Sequence, residues 1–192
     1  GGGRGIRLSK DKDELLRNLK VARSEAKMAF GNDEIYLEKS LINPRHVEVQ
    51  ILADDHGTVI HLGTRNCSIQ RRHQKMIEIA PANLPKPLLD RICETAVRAG
   101  EACYYLNAGT VEFLLDEEDR FYFLEVNTRI QVEHTVTEVI TGVDIVREQI
   151  RIASGEPLSL GQEDVSCRGV AIELRINAED PKSNFMASPG VV

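Results

Sequence analysis

The sequence predicts an α+β fold in which a mainly antiparallel sheet carries flanking helices. Two patterns support this: runs that alternate apolar and polar residues are joined by short turns, and longer stretches repeat apolar residues at helical spacing. Hydrophobic residues make up 42% of the 192 residues and charged residues 28%, which excludes disorder and low-complexity sequence. The chain is long enough for one substantial domain or two small ones.

Predicted helices and strands follow one another along the chain. Apolar residues recur at helical spacing over residues 11–29, 85–106 and 144–155, and Pro85 and Pro87 suit a first helical turn. Alternation predicts strands over residues 34–41, 47–51, 58–62, 68–79, 110–115, 120–126 and 169–177. A hairpin turn is expected at residues 55–57, and the glycines at 155 and 161 mark a loose boundary near the C-terminal end.

Charge and cysteine spacing exclude several classes of protein. The 24 Lys and Arg residues are outnumbered by 30 Asp and Glu residues, so a general nucleic-acid or anionic-membrane surface is not expected. The four cysteines have no CxxC spacing, which argues against a zinc module or disulfide scaffold and favours a reducing, cytoplasmic location. No apolar run approaches the roughly 20 residues that span a bilayer. Because the chain opens within a glycine run without a starting Met, we expect it to be part of a longer protein.

Two carboxylates are expected to face each other across the hairpin of residues 110–126. A two-residue turn at Glu118-Asp119 would place Glu112 directly opposite Glu125, with β-carbons about 4.5–5.5 Å apart. Like charges at that distance destabilise the pair unless a cation lies between them, and carboxylates without nearby cysteines suit Mg²⁺ or Mn²⁺. A solvated hairpin face is the alternative interpretation.

Polar residues continue at every second position after this strand. If the chain stays extended, one face carries five polar side chains: Glu125, Asn127, Arg129, Gln131 and Glu133. That face would offer an amide for a second metal, a guanidinium fork for an oxyanion and a carboxylate able to act as a base. An exposed edge strand would produce the same pattern.

A cationic cluster lies earlier in the chain, at residues 70–75. If this segment is extended, Arg71, His73 and Lys75 share one face. In a chain of net charge −6, this local density predicts a site for phosphate or another small anion. A solvated edge strand guarded by basic residues is the alternative. The glycines at residues 1–3 could wrap phosphates through backbone amides, although such a terminus is as often a flexible linker.

Six sequence blocks occur in order: GGGRG at 1–5, EK at 38–39 with PRHVE at 44–48, CSIQRRHQK at 67–75, AGTVEF at 108–113, EVNTRIQVEH at 125–134 and RINAEDP at 175–181. Together they resemble the biotin carboxylase component of biotin-dependent carboxylases and span nearly the whole chain. The carbamoyl-phosphate synthetase large subunit is a related ATP-grasp enzyme, but the block at 67–75 and the block at 175–181 look specifically like biotin carboxylase. The resemblance implies an ATP-grasp fold, with nucleotide between a small glycine-rich lid and a larger antiparallel sheet.

The resemblance also implies a role for each motif position. ATP would be bound by Gly2, Gly3, Glu38, Lys39, Leu41, His46, Gln70, His73 and Leu114. The metal ions would be held by Glu112, Glu125 and Asn127. Bicarbonate would be surrounded by Lys75, Arg129, Gln131, the backbone of Val132, and Glu133. The implied catalytic residues are Lys75, Arg129, Glu133 as the general base, and Arg175, which would stabilise negative charge on biotin.

The implied activity is the ATP-dependent carboxylation of biotin by bicarbonate through carboxyphosphate, with Mg²⁺ or Mn²⁺. The expected partners are a biotin carboxyl carrier protein or domain, a carboxyltransferase and further copies of the enzyme, but not nucleic acid or a membrane. Residues 1–158 would form the ATP-grasp domain, with 1–40 as a partial lid and 41–158 as the central sheet and helices, and 159–192 would begin a C-terminal domain. We expect the 192-residue chain alone to be inactive. The alternative is a non-catalytic folded piece that binds nucleotide weakly or serves in assembly.

Overall fold

The computed structural model describes residues 5–190, so Gly2 and Gly3, which were predicted to bind nucleotide, lie outside the described residues. The chain divides into two units. Residues 5–42 and 72–74 form the first unit, and residues 43–71 and 75–190 form the second. Among the described helices, none is long and apolar enough to cross a membrane.

The first unit is built around helix α1, which spans Lys12–Phe30. Asp11 caps its N-terminus by accepting a hydrogen bond from a backbone N–H group of the first turn. Gly31 ends the helix in the left-handed conformation, with φ at 73°, that glycine adopts without strain. The helix predicted over residues 11–29 is therefore confirmed. The strand predicted over residues 34–41 is wrong. A strand needs a neighbouring strand with which to form hydrogen bonds, and no strand in the described part of the chain pairs with these residues.

The second unit contains a six-stranded sheet, of which only the first residue of the third strand, Gln74, is assigned to the first unit. Its strands are β1 (Arg45–Ala53), β2 (Val59–Arg71), β3 (Gln74–Ala80), β4 (Asn107–Leu115), β5 (Phe121–Asn127) and β6 (Ala171–Leu174). They lie in the order β5-β4-β1-β2-β3-β6. The pairs β1–β2, β1–β4, β4–β5 and β3–β6 are antiparallel. The α+β class with a mainly antiparallel sheet is confirmed.

Three α-helices and a small second sheet complete the unit: α2 (Lys86–Ala102), α3 (His134–Thr141), α4 (Ile145–Ala153), β7 (Glu179–Asp180) and β8 (Met186–Ala187). The helices predicted from residues 85 and 144 are confirmed, although α2 ends before residue 106 because Tyr104 has left-handed backbone, with φ at 52°. Helix α3 was not predicted, since its eight residues are too few to show a clear helical period and they directly follow the alternating run that ends at Glu133.

The central strand β1 separates an apolar layer from a polar layer. Val47, Val49 and Ile51 pack with apolar residues of α2, and each such side chain contributes roughly 1.5–3 kcal/mol when fully buried. Successive side chains of a strand point to opposite faces, so Glu48 and Gln50 point away from α2. Both are nevertheless fully buried. The polar layer must therefore supply partners for a buried carboxylate and a buried amide.

The basic segment forms a hairpin turn instead of a continuous strand. Strand β2 runs as far as Arg71, and β3 begins at Gln74. The two residues between them, Arg72 and His73, have φ angles of 52° and 65°. The expectation of one extended strand over residues 68–79 is therefore wrong. Two successive positive φ angles favour Asn or Gly, so an Arg-His pair gave no turn signal in the sequence.

The predicted extended run after Glu125 is also wrong. Strand β5 ends at Asn127, and a turn leads into α3 at His134. Gln131 and Glu133 are buried on this turn, whereas Arg129 is exposed. Of the five alternating polar residues, the first two lie in a strand and the other three lie in an irregular segment. Burial in that segment is set by the packing of α3 and not by strand pleat.

The hairpin between β4 and β5 has the predicted register but a different turn. Residues 116–120 form its loop, which the Asp116 N–H group closes by donating to the Arg120 carbonyl at 3.0 Å. The two-residue turn expected at residues 118–119 is therefore wrong. A bulge between Glu112 and the next residue of β4 adds one residue to β5 and restores the pairing of Glu112 with Glu125. The solvated-face alternative fails for Glu112, which is 4% exposed, while Glu125 is exposed.

Arg65 on β2 supplies the partners that the polar layer needs. Its guanidinium is fully buried and has five N–H groups. They donate to Glu48 Oε1 (2.6 Å), Gln50 Oε1 (2.9 Å), Thr137 Oγ1 (2.9 Å), Thr110 Oγ1 (3.1 Å) and Gln131 Oε1 (3.4 Å). Burial alone would lower the pKa of Arg65, but the charge of Glu48 raises it, so the side chain stays charged. One residue therefore joins three strands to α3 and to the turn before it.

We expect Arg65→Met to lower the free energy of unfolding of the chain by about 3–5 kcal/mol. The substitution removes the guanidinium and leaves the buried carboxylate of Glu48 and the buried amide of Gln50 without this hydrogen-bond donor. Urea titration followed by circular dichroism measures the change. The matched control is Arg98→Met, at an exposed position of α2, which should change stability by about 0.5 kcal/mol or less. Equal stabilities of the Arg65 and Arg98 variants would contradict the central role of Arg65.

Candidate active site

The side chain of Lys75 lies among three carboxylates. Lys75 is the second residue of β3, and its Nζ atom donates to Glu112 Oε1 of β4 at 2.8 Å and to Glu133 Oε1 before α3 at 2.6 Å. It also forms an ion pair with Glu48 of β1. An ammonium group has three N–H donors, so the three carboxylates use all of them. Side chains from three strands and one turn thus form a single charged cluster.

The charges of this cluster stabilise one another. Burial would lower the pKa of Lys75, but Glu48, Glu112 and Glu133 outweigh it and raise that pKa. Burial would likewise raise the pKa of Glu112, yet the close contact with His46 and the charge of Lys75 bring it well below its usual range. The pKa of Glu133 is lowered too, since the charge of Lys75 outweighs burial. At neutral pH the cluster therefore holds an ammonium ion and ionised carboxylates.

Arg175 forms a second cationic contact with Glu133. Its Nη2 atom donates to Glu133 Oε2 at 2.8 Å, and its Nε atom donates to Glu78 Oε1 at 2.7 Å. The two oxygens of Glu133 thus bind different cations, Lys75 on one side and Arg175 on the other. A small anion that binds between Lys75 and Arg175 can replace Glu133 as the hydrogen-bond acceptor of either cation, so that neither cation is left without an anionic partner.

His46 on β1 approaches the same carboxylate of β4. The Gln70 amide donates to the Cys67 carbonyl and to His46 Nδ1, both at 2.8 Å. Because Nδ1 accepts this hydrogen bond, the network assigns the neutral ring's proton to Nε2. That atom lies 3.2 Å from Glu112 Oε2, without the geometry of a hydrogen bond. The ring therefore presents a polar N–H group at the edge of the carboxylate cluster.

The oxygen atoms around Glu112 can be tested for their fit to a divalent metal. His46, Glu48 and Glu112 bring ligand atoms within 4.8 Å of one another, but Lys75 already neutralises two of these carboxylates. On the other side, Glu125 is the cross-strand partner of Glu112, and Asn127 follows two residues later on β5. Two carboxylates and an amide oxygen are hard ligands of the kind Mg²⁺ takes. These residues fit such an ion, and the metal site stays a prediction.

Several residues predicted to bind bicarbonate lie near the cluster, but not all contact it. The Gln131 amide donates to Glu112 Oε1 at 3.2 Å, so this residue is brought into the cluster. Arg129 is exposed and donates to the Ile130 carbonyl and to Asn127 Oδ1. The side chain of Val132 is exposed. Their roles toward bicarbonate stay predictions.

The predicted nucleotide-binding residues divide between the two units. Leu114 is half-buried on β4 in the second unit, which also holds His46 and Gln70. Of those in the first unit, Glu38, Lys39 and His73 are exposed, and Leu41 is half-buried. The anion site predicted from residues 70–75 takes a different form, because the Lys75 ammonium is already bound by carboxylates. Nucleotide binding at these positions stays a prediction.

Sequence reasoning missed three buried charged residues of the site. Glu48 lies between two valines on β1. A charged residue between apolar neighbours on a strand was the sequence signal that could have identified it. Arg65 and Glu78 are also fully buried, and their partners lie far away in the sequence. Only the sheet order, which places β2 between β1 and β3, brings these residues together.

Comparison with known proteins agrees with this geometry. Residues 1–161 match the family described as the carbamoyl-phosphate synthase L chain, ATP binding domain. The biotin carboxylase of Pseudomonas aeruginosa is 59% identical, over 100% of this chain and 42% of its own length. A crystal structure of a biotin carboxylase-βγ-ATP complex from Campylobacter jejuni superposes with a TM-score of 0.93 and 49% identity, covering 99% of this chain and 42% of that one.

A second solved structure is also similar to this chain. The biotin carboxylase domain dimer of 2-oxoglutarate carboxylase from Hydrogenobacter thermophilus, in complex with MgADP, ADP and bicarbonate, has a TM-score of 0.91 and 54% identity. It covers 97% of this chain and 42% of that chain. The chain thus spans about two fifths of the length of the relatives it matches. The chain belongs to the family of the carbamoyl-phosphate synthase L chain ATP-binding domain, as a relative of the biotin carboxylases, and its predicted ATP-grasp fold is confirmed.

Proposed function

We propose that the full-length protein containing this chain carboxylates biotin with bicarbonate and ATP, through carboxyphosphate. The observation that carries the proposal is the Lys75 ammonium among buried carboxylates, next to the contact between Arg175 and Glu133. The relatives named above support it, since one is a βγ-ATP complex and another holds MgADP and bicarbonate. Because the chain spans 42% of those relatives, the activity is proposed for the full-length protein.

Glu112, Glu125 and Asn127 would hold Mg²⁺ or Mn²⁺. When bound, such an ion neutralises charge on the phosphoryl oxygens of ATP. Glu112 is prepared for this role, because its lowered pKa, caused by His46 and Lys75 against the effect of burial, keeps it ionised. Its hydrogen bonds from Lys75 and Gln131 both end on Oε1. The other oxygen, Oε2, is then the atom offered to a cation.

ATP would be held by His46, Gln70 and Leu114 of the second unit. The further proposed ATP ligands are Glu38, Lys39, Leu41 and His73 of the first unit, together with Gly2 and Gly3. The resemblance to biotin carboxylases supports both sets. The His46 ring, held by Gln70, presents an N–H donor suited to an anionic or hydroxyl oxygen of the nucleotide.

Bicarbonate would bind to Lys75, Arg129, Gln131 and the Val132 backbone, next to Glu133. In the first step an oxygen of bicarbonate attacks the γ-phosphorus, and the bond from that phosphorus to ADP breaks. Glu133 accepts the bicarbonate proton, and the product is carboxyphosphate. Lys75 and Arg129 balance the negative charge of the reacting anions, so positioning and electrostatics supply most of the acceleration.

Biotin would react in the second step. Carboxyphosphate breaks into CO₂ and phosphate, the phosphate accepts the proton of the ureido nitrogen, and a new bond joins that nitrogen to CO₂. Arg175 stabilises the enolate form of biotin through its guanidinium charge. Its position beside Glu133 supports this role, since the residue that accepts the first proton and the residue that stabilises the second anion are in contact.

The partners proposed for the full-length protein are a biotin carboxyl carrier protein or domain and a carboxyltransferase. The Hydrogenobacter relative is a dimer, which supports a homo-oligomer. We also propose an ATP-grasp domain over residues 1–158, followed by the start of a further domain, and the family match over residues 1–161 supports that boundary. A cytoplasmic location stays a prediction.

A non-catalytic role in nucleotide binding or assembly is the competing proposal. Phosphate release by the full-length protein separates the two. Catalysis requires that phosphate release depend on bicarbonate and that free biotin become carboxylated. A binding or assembly role requires neither. The ionised carboxylate of Glu133, in contact with the cations of Lys75 and Arg175, favours catalysis, because it can accept a proton next to groups that bind anions.

In the full-length enzyme we expect Glu133→Gln to lower the turnover of bicarbonate-dependent biotin carboxylation by at least ~10²-fold, because the amide cannot accept a proton. The KM for ATP should change by about twofold or less, since Glu133 contacts Lys75 and Arg175 in the cluster. The control Glu163→Gln, at an exposed position, should leave both values unchanged. Turnover near the wild-type value in Glu133→Gln would exclude Glu133 as the base.

The metal site has its own test. We expect Glu125→Gln to weaken Mn²⁺ binding in the presence of ADP by about tenfold or more, measured by electron paramagnetic resonance of free Mn²⁺, because one of two opposed carboxylates is neutralised. Glu117→Gln, in the loop of the same hairpin, is the matched control and should bind Mn²⁺ as the wild type does. Unchanged affinity in the Glu125 variant would place the ion elsewhere.

A further inference from the structure

Glu78 is a buried carboxylate that the proposed reaction does not use. It lies on β3, is fully buried and forms the cross-strand pair of Glu173 on β6. Its Oε1 atom accepts a hydrogen bond from Arg175 Nε at 2.7 Å. Its Oε2 atom, also buried, accepts no hydrogen bond from the described residues. A carboxylate in this position reduces the stability of the sheet, because it is desolvated, lacks one partner and faces a like charge.

The surroundings of Glu78 contain one cation in contact with it. Burial raises the pKa of Glu78, the charge of Arg175 lowers it, and the nearby carboxylates of Glu173 and Glu133 raise it again. Glu173 itself accepts a hydrogen bond from Thr135 Oγ1 at 2.5 Å and is not bound to Arg175 in the described contacts. An apolar residue at position 78 would pack in the same space without these costs. The contact with Arg175 is therefore the feature that the carboxylate provides.

Arg175 is held at three points. Its backbone N–H group donates to the Met76 carbonyl at 3.0 Å, Nε donates to Glu78, and Nη2 donates to Glu133 at 2.8 Å. The guanidinium thus bridges two carboxylates. Glu133 is also shared with Lys75, whereas the described ion pairs of Glu78 involve Arg175 alone. If Glu133 accepts a proton, it loses the charge that attracts Arg175, and Glu78 becomes the remaining anionic partner.

We propose that Glu78 is a positioning residue that keeps the Arg175 guanidinium in place for biotin while Glu133 carries the proton. The proposal rests on the proposed function, since it assumes that Glu133 is the base and that Arg175 acts on biotin. Glu78 contacts no reacting atom and acts through Arg175. Its effect must therefore disappear when the guanidinium is removed, whereas the effect of a general structural defect would persist.

A double-mutant cycle in the full-length enzyme tests this dependence. We expect Glu78→Gln to lower kcat/KM for free biotin by roughly tenfold, the usual scale for loss of one charge-assisted hydrogen bond, with the KM for ATP within about twofold. In an Arg175→Ala background the same change should cost less than about twofold. Glu173→Gln is the control, because it removes the opposite carboxylate without touching the Arg175 contact, and it should keep kcat/KM for biotin within about twofold. Equal losses from Glu78→Gln in both backgrounds, or the same loss in Glu173→Gln, would overturn the proposal.

A second measurement does not require turnover. In the ¹⁵N-labelled 192-residue chain, the Arg175 Nε–H group should exchange with water slowly, because it donates to a buried carboxylate oxygen. Glu78→Gln should accelerate that exchange by at least about tenfold, and Glu78→Asp, which keeps the charge on a shorter side chain, should give an intermediate rate. Fast exchange in the wild type, or equal rates in wild type and Glu78→Gln, would overturn the positioning role. Absence of biotin carboxylation by the wild-type enzyme would instead reject the proposed function, and the exchange rates would still decide whether Glu78 holds Arg175.

Discussion

The ammonium group of Lys75 neutralises carboxylates that come from β1, β4 and the turn before α3. Without that charge, Glu48, Glu112 and Glu133 would repel one another within a few ångströms in a buried environment, where such repulsion is poorly screened. The cation therefore permits the sheet to gather acidic groups at one place. The three contacts of Lys75 with these carboxylates therefore determine the geometry of the candidate site.

Arg65 extends the same principle deeper into the sheet. It binds Glu48 from the side opposite to Lys75, so each oxygen of that carboxylate faces a different cation. Its remaining donors fix the polar side chains of two strands and α3. Because β1 buries apolar residues against α2 on its other face, the strand is held by hydrophobic burial on one side and by a charge network on the other. The first holds the strand in the core, and the second fixes the orientation of its polar side chains.

The sequence was sufficient for the features that depend on neighbours along the chain. The helix over residues 11–29 and the pairing of Glu112 with Glu125 were predicted correctly from local patterns, although the turn that joins β4 and β5 differs from the predicted one. The turn at residues 72–73 could not be predicted, because its backbone is imposed by the sheet on residues that carry no turn preference. The strand predicted over residues 120–126 matches β5 to within one residue at each end, but its extended continuation to residue 133 is wrong, because that segment turns into α3.

The candidate site was predicted only in part, for a related reason. Lys75, Glu112 and Glu133 carry recognisable motifs, so they could be named before the fold was known. Arg65 and Glu78 make their contacts with residues 72 and 97 positions away, respectively, in addition to nearer ones. Periodicity reports the face of a strand but not which strand lies beside it. Partners of this kind become visible only when the order of the strands is known.

The bulge in the hairpin of β4 and β5 bears on how this protein can vary in evolution. The five-residue loop at 116–120 and the extra residue in β5 together give the same pairing of Glu112 with Glu125 that a shorter turn and a regular strand would give. A change of loop length by one residue can therefore be absorbed by gain or loss of the bulge, while both carboxylates stay on the same face. An insertion or deletion of one residue in the loop therefore need not change the positions of Glu112 and Glu125 at the base of the hairpin.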